Sequence, residues 1–571
     1  MPKMHKLLAG LNEQQKKAVI YDEGPLLVLA GAGSGKTKCL TYRVAYFISE
    51  KGISPEHILL TTFTNKAAGE MKERVAKLTG SAPPFSGTFH SFCAKLLRID
   101  GRAIGIPPGF LIYDESDQKD LVKQILAELN LLPESYSPGG IVHAISEAKN
   151  QMLSPTQYAE LVEGDWGEVV FKVYLAYEKH LKEIGALDFD DLLIKAVVLL
   201  KDNPQILKKW QNLLTHIYVD EWQDTNKIQY ALTRLLVGKR KDITAVGDAS
   251  QSIYGWRGAD FRNISYLVRD FPEVKVVNLE QNYRSTQNIL AAANSVISKN
   301  TSHPVLKLWT LNPLGERIKL YTARNGLDEA SFVVNEVLSL TNYGYENKDI
   351  AVLYRTNAQS RVLEEALLHE GFPYILVGGI RFYDRKEIKD VLSFLRLLVN
   401  SRDSVSTKRI QKLGKRRFEK FMELKKELTD VDKLSTLDLL DTVFEKTDYL
   451  ALYEKETEEN LARLENIKEL RSVATEFPNI HDFLENVSLV EAEQDEVGKL
   501  TKNGENKKNA VTLMTLHAAK GLEFPIIFIV GMEEGLFPHS RSLFKAEEIE
   551  EERRLAYVGM TRAKKLLYLS Y

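Results

Sequence analysis

Residues 30 to 37 read Ala-Gly-Ala-Gly-Ser-Gly-Lys-Thr, a run whose natural ligand is a chain of phosphates. Gly31, Ala32, Gly33, Ser34 and Gly35 are small enough for backbone N–H groups to crowd around oxygens, and a helix starting at Lys36 adds the positive end of its dipole. That chemistry puts Lys36 on the β- and γ-phosphates and the Thr37 hydroxyl on Mg²⁺. The run departs from the G-x-x-x-x-G-K-T spacing at one place, where Ala30 replaces the first glycine. A phosphate loop predicts a second, acidic strand end. Ile217-Tyr-Val-Asp220-Glu221 supplies it, with Asp220 placed to hold Mg²⁺ and Glu221 to orient or deprotonate an attacking water. The run continues as Trp222-Gln223-Asp224. Phosphoryl transfer also needs a cation on the γ-phosphate in the transition state. Arg284, within Gln281-Asn-Tyr-Arg-Ser285, and Arg562, within Tyr557-Val-Gly-Met-Thr-Arg-Ala563, are the candidates. From spacing alone, either reads equally as a surface ion-pair residue.

These residues need rigid elements beneath them. Leu26-Leu-Val-Leu-Ala30 is almost uniformly apolar and closes on the glycines, the pattern of a buried parallel strand. The pattern recurs at Ile58–Phe63, Ile217–Asp220, Ile243–Gly247, Ile350–Tyr354 and Pro525–Val530, with helical stretches between. The fold class is therefore α/β, with parallel sheets. Residues of about 113 to 188 instead show helical periodicity with little strand signal, and a second helical stretch runs from about 384 to 504. The second is electrically lopsided: residues 404–427 carry nine Lys/Arg against three Glu, while 441–500 carry six Lys/Arg against sixteen Asp/Glu. The basic part, with Lys415-Arg-Arg417, reads as a solvated helix face or a phosphate-contacting surface. Residues 499–509, polar and without periodicity, read as a linker back to the second sheet. The expected division is a first sheet domain at 1–112 and 189–282, a helical insertion at 113–188, a second sheet domain at 283–383 and 505–571, and a second insertion at 384–504.

Composition bounds the remaining possibilities. A chain of 571 residues exceeds one small binding module, and 44% hydrophobic with 27% charged residues is ordinary globular usage. The formal charge of −2 means that any nucleic acid must be held by local patches rather than by a basic whole. Two cysteines, Cys39 and Cys93, exclude a disulfide framework and a cysteine-ligated cluster, and they fit a reducing, cytoplasmic setting. No apolar run approaches the ~20 residues of a membrane span, and the start lacks a signal-like apolar region. The end at Tyr571, nine residues after Arg562, reads as a shortened or minimal core.

With these motifs in place, the chain resembles the superfamily 1 DNA helicases of the UvrD/PcrA/Rep group. Besides the runs above, the resemblance rests on Leu11-Asn-Glu-Gln-Gln15, Thr62-Phe-Thr-Asn-Lys-Ala-Ala68, Gly87-Thr-Phe-His90, Asp188-Phe-Asp-Asp191, Val246 to Gly258, Tyr354-Arg-Thr-Asn357 and Thr515 to Glu523, all in family order. It implies two RecA-like domains, each with a helical insertion, and an ATP-dependent DNA helicase moving 3′-to-5′ on single strands in repair or replication. Gln15 would read the adenine edge and Tyr283 stack on it, with Lys38 beside it where the family often has arginine. Glu523 would contact the ribose, Gln251 sense the γ-phosphate, and Arg284 and Arg562 reach across a closing cleft. On the DNA side, Phe63, Tyr254 and Trp256 taken singly read as core aromatics, and the resemblance turns them into base-stacking platforms. Thr88, His90, Arg257, Arg355, Asn357 and His517 become phosphate or base contacts by the same route. The expected partners are single-stranded DNA, single-strand/duplex junctions and further proteins. Trp222 replaces the family's commoner Phe or Tyr, and the second insertion is shorter than the family's, without its Gly-rich duplex-contacting pattern around Gly414. The competing readings are an ATP-gated single-stranded DNA-binding switch or a partner-dependent motor with little unaided unwinding, and a helicase-nuclease subunit, for which no length of chain remains.

Overall fold

A parallel strand covered by helices on both faces has no solvent side, so it becomes apolar throughout and short loops must carry all its polarity. The computed structural model describes residues 7–131, 136–401, 403–428, 431–454, 457–487 and 509–571. It divides into two compact units, Met1–Leu290 with Asn294–Asn312, and Ala291–Ala293 with Pro313–Tyr571. The expected linker at 499–509 lies outside the described residues except for Asn509.

In the first unit the strands are Leu26–Ala30 (β1), Ile58–Thr62 (β2), Phe85–Thr88 (β3), Leu111–Tyr113 (β4), Ala186–Asp188 (β5), His216–Val219 (β6), Ile243–Gly247 (β7) and Lys275–Leu279 (β8). Six of them form one sheet in the order β3-β2-β6-β7-β1-β8, every neighbouring pair parallel. Period-two alternation divides the apolar residues between two cores. Leu27, Leu59, Ile217 and Ala245 face one helical layer, and Leu26, Val28, Leu60 and Val246 face the other. Because β6, β7 and β1 are adjacent, the loops leaving their C-terminal ends share one rim, where open α/β sheets bind ligands.

The first insertion has its own core, built on Val122, Ile125, Val170, Val173 and Tyr177. It comprises the helices Glu115–Glu128, Pro138–Asn150, Pro155–Ala159 and Gly164–Ile184. It closes on a two-stranded parallel sheet of β4 and β5, which its helical texture had not suggested. At its base the buried Lys149 ammonium lies 2.7 Å from Asp188, 2.9 Å from Asp191 and 2.8 Å from Glu178.

The second unit holds Lys319–Tyr321 (β9), Ile350–Tyr354 (β10), Tyr374–Val377 (β11), Val511–Thr515 (β12), Phe524–Ile529 (β13) and Ala563–Ser570 (β14), ordered β11-β12-β10-β13-β14-β9 and again all parallel. Its helical insertion packs around Phe394, Leu395, Phe421, Val443 and Leu470. Some of the lopsided charge there is internally matched, as in Lys446 with Glu427 and Lys420 with Asp448. The first compact unit runs on past residue 283 to Asn312, so Tyr283 and Arg284 belong to the unit that carries the phosphate loop. The chain returns to that loop after β8, where Asn282 donates to the Ala32 carbonyl at 2.8 Å and the Tyr283 N–H donates to the Gly33 carbonyl at 2.9 Å.

Candidate nucleotide and DNA sites

The turn after β1 is shaped by two glycines in the left-handed region, Gly33 at φ 66° and Gly35 at φ 83°, where a side chain would be strained. The helix Lys36–Ser49 begins directly after it, so the first unpaired N–H groups of that helix face the turn. Gln15, 2% exposed, braces the turn by donating from Nε2 to the Ser34 carbonyl at 2.9 Å. Tyr283, half exposed, accepts at its hydroxyl from Asn12 Nδ2 at 2.7 Å, so Gln15 and Tyr283, two of the three residues expected around an adenine, stand beside the phosphate loop. Lys38 Nζ donates to the Gly10 carbonyl at 2.6 Å. Arg284 is carried there by Asn282, whose side-chain oxygen accepts the Arg284 and Ser285 N–H groups, each at 2.8 Å.

The acidic strand end meets the phosphate loop. Thr37 Oγ1 donates to Asp220 Oδ2 at 3.3 Å, and Lys36 Nζ lies 3.4 Å from Glu221 Oε2. Burial drives the Asp220 carboxyl up to about 7, the neighbouring Glu221 charge adds to the rise, and Lys36 opposes it. A buried carboxylate next to a hydroxyl is a hard, oxygen-only donor pair, the kind that holds Mg²⁺ together with phosphate oxygens and water. Glu221 occupies the left-handed region at φ 51° and ψ 47°, which costs a non-glycine residue on the order of 1 kcal/mol. Its backbone N–H donates to Asp220 Oδ1 at 3.0 Å.

Gln251, 3% exposed, donates from Nε2 to Asp248 Oδ2 at 2.6 Å in the turn after β7. That turn leads through Tyr254 to Trp256, which is 46% exposed. Phe63 and Tyr254 stack on each other, with centroids 5.2 Å apart and planes 10° off parallel. Thr88 accepts the Ser91 N–H at 3.2 Å as the N-cap of the helix Phe89–Asp100. His90 packs edge-on against Phe189 and burial lowers its pKa. Arg257 ends the short turn Gly255–Arg257.

The remaining expected residues lie in the second unit. Arg355 is clamped by Glu552, Nη2 to Oε1 at 2.7 Å and Nε to both oxygens at 3.0 Å. The Asn357 carbonyl accepts from Arg385, and His517 stands in the turn after β12. Glu523 pairs with Lys564 at 2.8 Å. Arg562, 2% exposed, donates to the carbonyls of Val558 at 2.9 Å and Leu522 at 3.4 Å. Three first-unit residues that sequence reasoning had assigned no role, Gln223, Asp248 and Asn282, hold the others in place; the acidic run did contain Gln223, but without a partner.

Against known proteins, residues 11–272 match the UvrD/REP helicase N-terminal domain, and residues 277–460 and 411–571 match the UvrD-like helicase C-terminal domain. The chain belongs to the UvrD/REP helicase family. Two of its relatives are ATP-dependent DNA helicases PcrA, from Staphylococcus aureus (strain Mu50) and Bacillus subtilis (strain 168). Each is 43% identical; the alignments cover 100% and 99% of this chain and 84% and 83% of the relatives. A third, from Staphylococcus epidermidis, is 42% identical over 99% of this chain and 84% of its own length. Among the described residues of this helicase no helix is long and apolar enough to cross a membrane, and no group of three or more His, Cys, Asp or Glu could hold a metal ion. A Mg²⁺ site made of Thr37, one carboxylate and phosphate oxygens needs no such group.

Proposed function

We propose that this enzyme hydrolyses ATP, taken as its Mg²⁺ complex, to move 3′-to-5′ along single-stranded DNA and separate duplexes, in cytoplasmic DNA repair or replication. The observation that carries the reading is the meeting of Lys36, Thr37, Asp220 and Glu221 at the adjoining strand ends. Glu221 takes the proton of the attacking water, and Lys36 stabilises charge on the terminal phosphate. Mg²⁺, held by Thr37 and Asp220, neutralises the phosphate oxygens when bound. Arg284 and Arg562 are the transition-state cations. Gln15, Lys38, Tyr283 and Glu523 hold the nucleoside, and Gln251 reports the γ-phosphate. Trp256 is the principal stacking platform, with Phe63 and Tyr254 beside it, while Thr88, His90, Arg257, Arg355, Asn357 and His517 contact the strand. The domain division proposed is the two sheets as motor domains, each with its helical insertion.

The test is ATP hydrolysis with and without single-stranded DNA, followed by strand separation on 3′- and 5′-tailed duplexes. DNA-stimulated hydrolysis with unwinding of the 3′-tailed substrate is expected. Stimulation without unwinding of either substrate would favour the ATP-gated DNA-binding switch.

A further inference from the structure

Gln223 is fully buried, and both ends of its amide are engaged. Its Nε2 donates to Glu221 Oε2 at 2.5 Å and reaches Asp224 Oδ2 at 3.4 Å, while its Oε1 accepts the backbone N–H of Asp248 at 2.9 Å. Its main-chain carbonyl accepts from Ser252 Oγ at 3.2 Å. Asp248 in turn receives Gln251 Nε2 at 2.6 Å. The neighbouring strand leaves room for this amide: a Cβ on Gly247 would lie 2.7 Å from Gln223 Oε1. One side chain, itself shut off from water, thus ties the carboxylate that follows β6 to the turn that ends β7.

We propose that Gln223 is a positioning residue for hydrolysis. It fixes the Glu221 carboxylate in its strained conformation and couples that orientation to the Asp248–Gln251 turn, so that movement of the turn re-aims the base. The inference rests on the reading of Glu221 as the base. Amide chemistry suits the task because the group donates to a carboxylate at one end and accepts a peptide N–H at the other, and neither a carboxylate nor an aliphatic chain does both. Only the first bond acts on the base. The second makes the base answer to the γ-phosphate side.

The test uses Gln223→Glu and Gln223→Leu in the full chain, with Glu221→Gln as the reference. Each variant is measured for nucleotide affinity with a fluorescent ATP analogue, for kcat across pH, and for thermal stability. Gln223→Glu should lower kcat at pH 7 on the order of 10²-fold, the scale of a misplaced reacting group, with nucleotide affinity held within about threefold. Its second carboxylate facing Glu221 raises the pKa of the base, so the acid limb of the kcat profile should move to higher pH. Gln223→Leu should lower kcat without moving that limb. Should the leucine variant fail to fold, the near-isosteric glutamate variant decides alone. A kcat within about threefold of wild type, or a fall in which affinity drops in step and the limb stays put, would reduce Gln223 to packing and overturn the proposal. Turnover surviving in Glu221→Gln would instead overturn the reading of the base, a distinct result.

Discussion

The two sheets share an architecture, six parallel strands between helical layers, yet their strand ends do opposite things with charge. At the rim of the first, Asp220 and Asp248 are buried carboxylates whose pKa values burial raises, and Lys36 meets Glu221 beside a glycine turn shaped for phosphates. In the second unit two of the arginines are instead held by carboxylates. Arg355 is clamped by Glu552, and Arg361 bonds both Glu469 and Glu365. Similar parallel sheets thus carry different side-chain chemistry at their strand ends, and in the first sheet it lies in the loops after β1, β6 and β7.

The largest expected effect attacks the first rim directly. Glu221→Gln keeps the shape but cannot accept a proton, so steady-state hydrolysis should fall by on the order of 10³ or more while nucleotide binding survives. Near-normal turnover would break the comparison, because the first rim would then be no more catalytic than the second. Arg562→Ala asks whether the second unit contributes one catalytic charge after all. If Arg562 acts on the γ-phosphate, kcat should fall by about 10³ with little change in nucleotide affinity. If it serves only its packing partners, among them the carbonyls of Val558 and Leu522 and the Thr561 hydroxyl, the loss should appear as a lower melting temperature and leave kcat standing.

A smaller effect is expected where the first rim meets DNA. Trp256 is half exposed on the turn that follows Gln251, whereas Trp222, 1% exposed, donates its indole N–H to the Asn263 carbonyl at 3.0 Å. Trp256→Ala should weaken single-strand binding by ~1–3 kcal/mol and blunt DNA stimulation of hydrolysis, leaving the DNA-free rate and the stability intact. Titration of labelled oligonucleotide alongside the ATPase assay separates the two quantities. An equal loss of basal rate would make Trp256 a packing residue like Trp222.

How much of this was legible in the sequence follows from burial. β1, β2, β6, β7, β10 and β13 are covered on both faces and stood out as apolar runs. The edge strand β8 alternates, as Lys-Val-Val-Asn-Leu, β3 is Phe-Ser-Gly-Thr, and β9 has three residues, so none carries that mark. The phosphate loop and Asp220-Glu221 were readable because their chemistry is local. The return of Asn282, Tyr283 and Arg284 to a loop some 250 positions earlier was not readable from local pattern, since it depends on β8 lying beside β1; only the family resemblance put Tyr283 and Arg284 at the nucleotide. Gln223 was visible as a letter and invisible as a brace, because its partner Asp248 N–H arrives only through the pairing of β6 with β7.

The smallest effect tests whether the buried Asp220 charge of the first rim is a real load on the fold. A carboxyl raised from 3.8 to about 7 binds its proton more tightly in the folded chain than in the unfolded one. Between those two values the native state therefore holds more protons, and stability falls as pH rises, reaching its floor above about 7. Asp220→Asn removes the titration and keeps the shape. Without nucleotide or Mg²⁺, the variant should melt higher than wild type at pH 8, by about 2–4 °C for each kcal/mol released. The advantage should shrink as pH is lowered toward 5. Mg²⁺ with a non-hydrolysable ATP analogue should reverse the order, because only the carboxylate gains from the cation, and binding to the native state adds its own stabilisation. A difference that is flat with pH, or one that grows on acidification, would mean that Asp220 is already matched within its own rim, as Arg355 is by Glu552 in the second sheet.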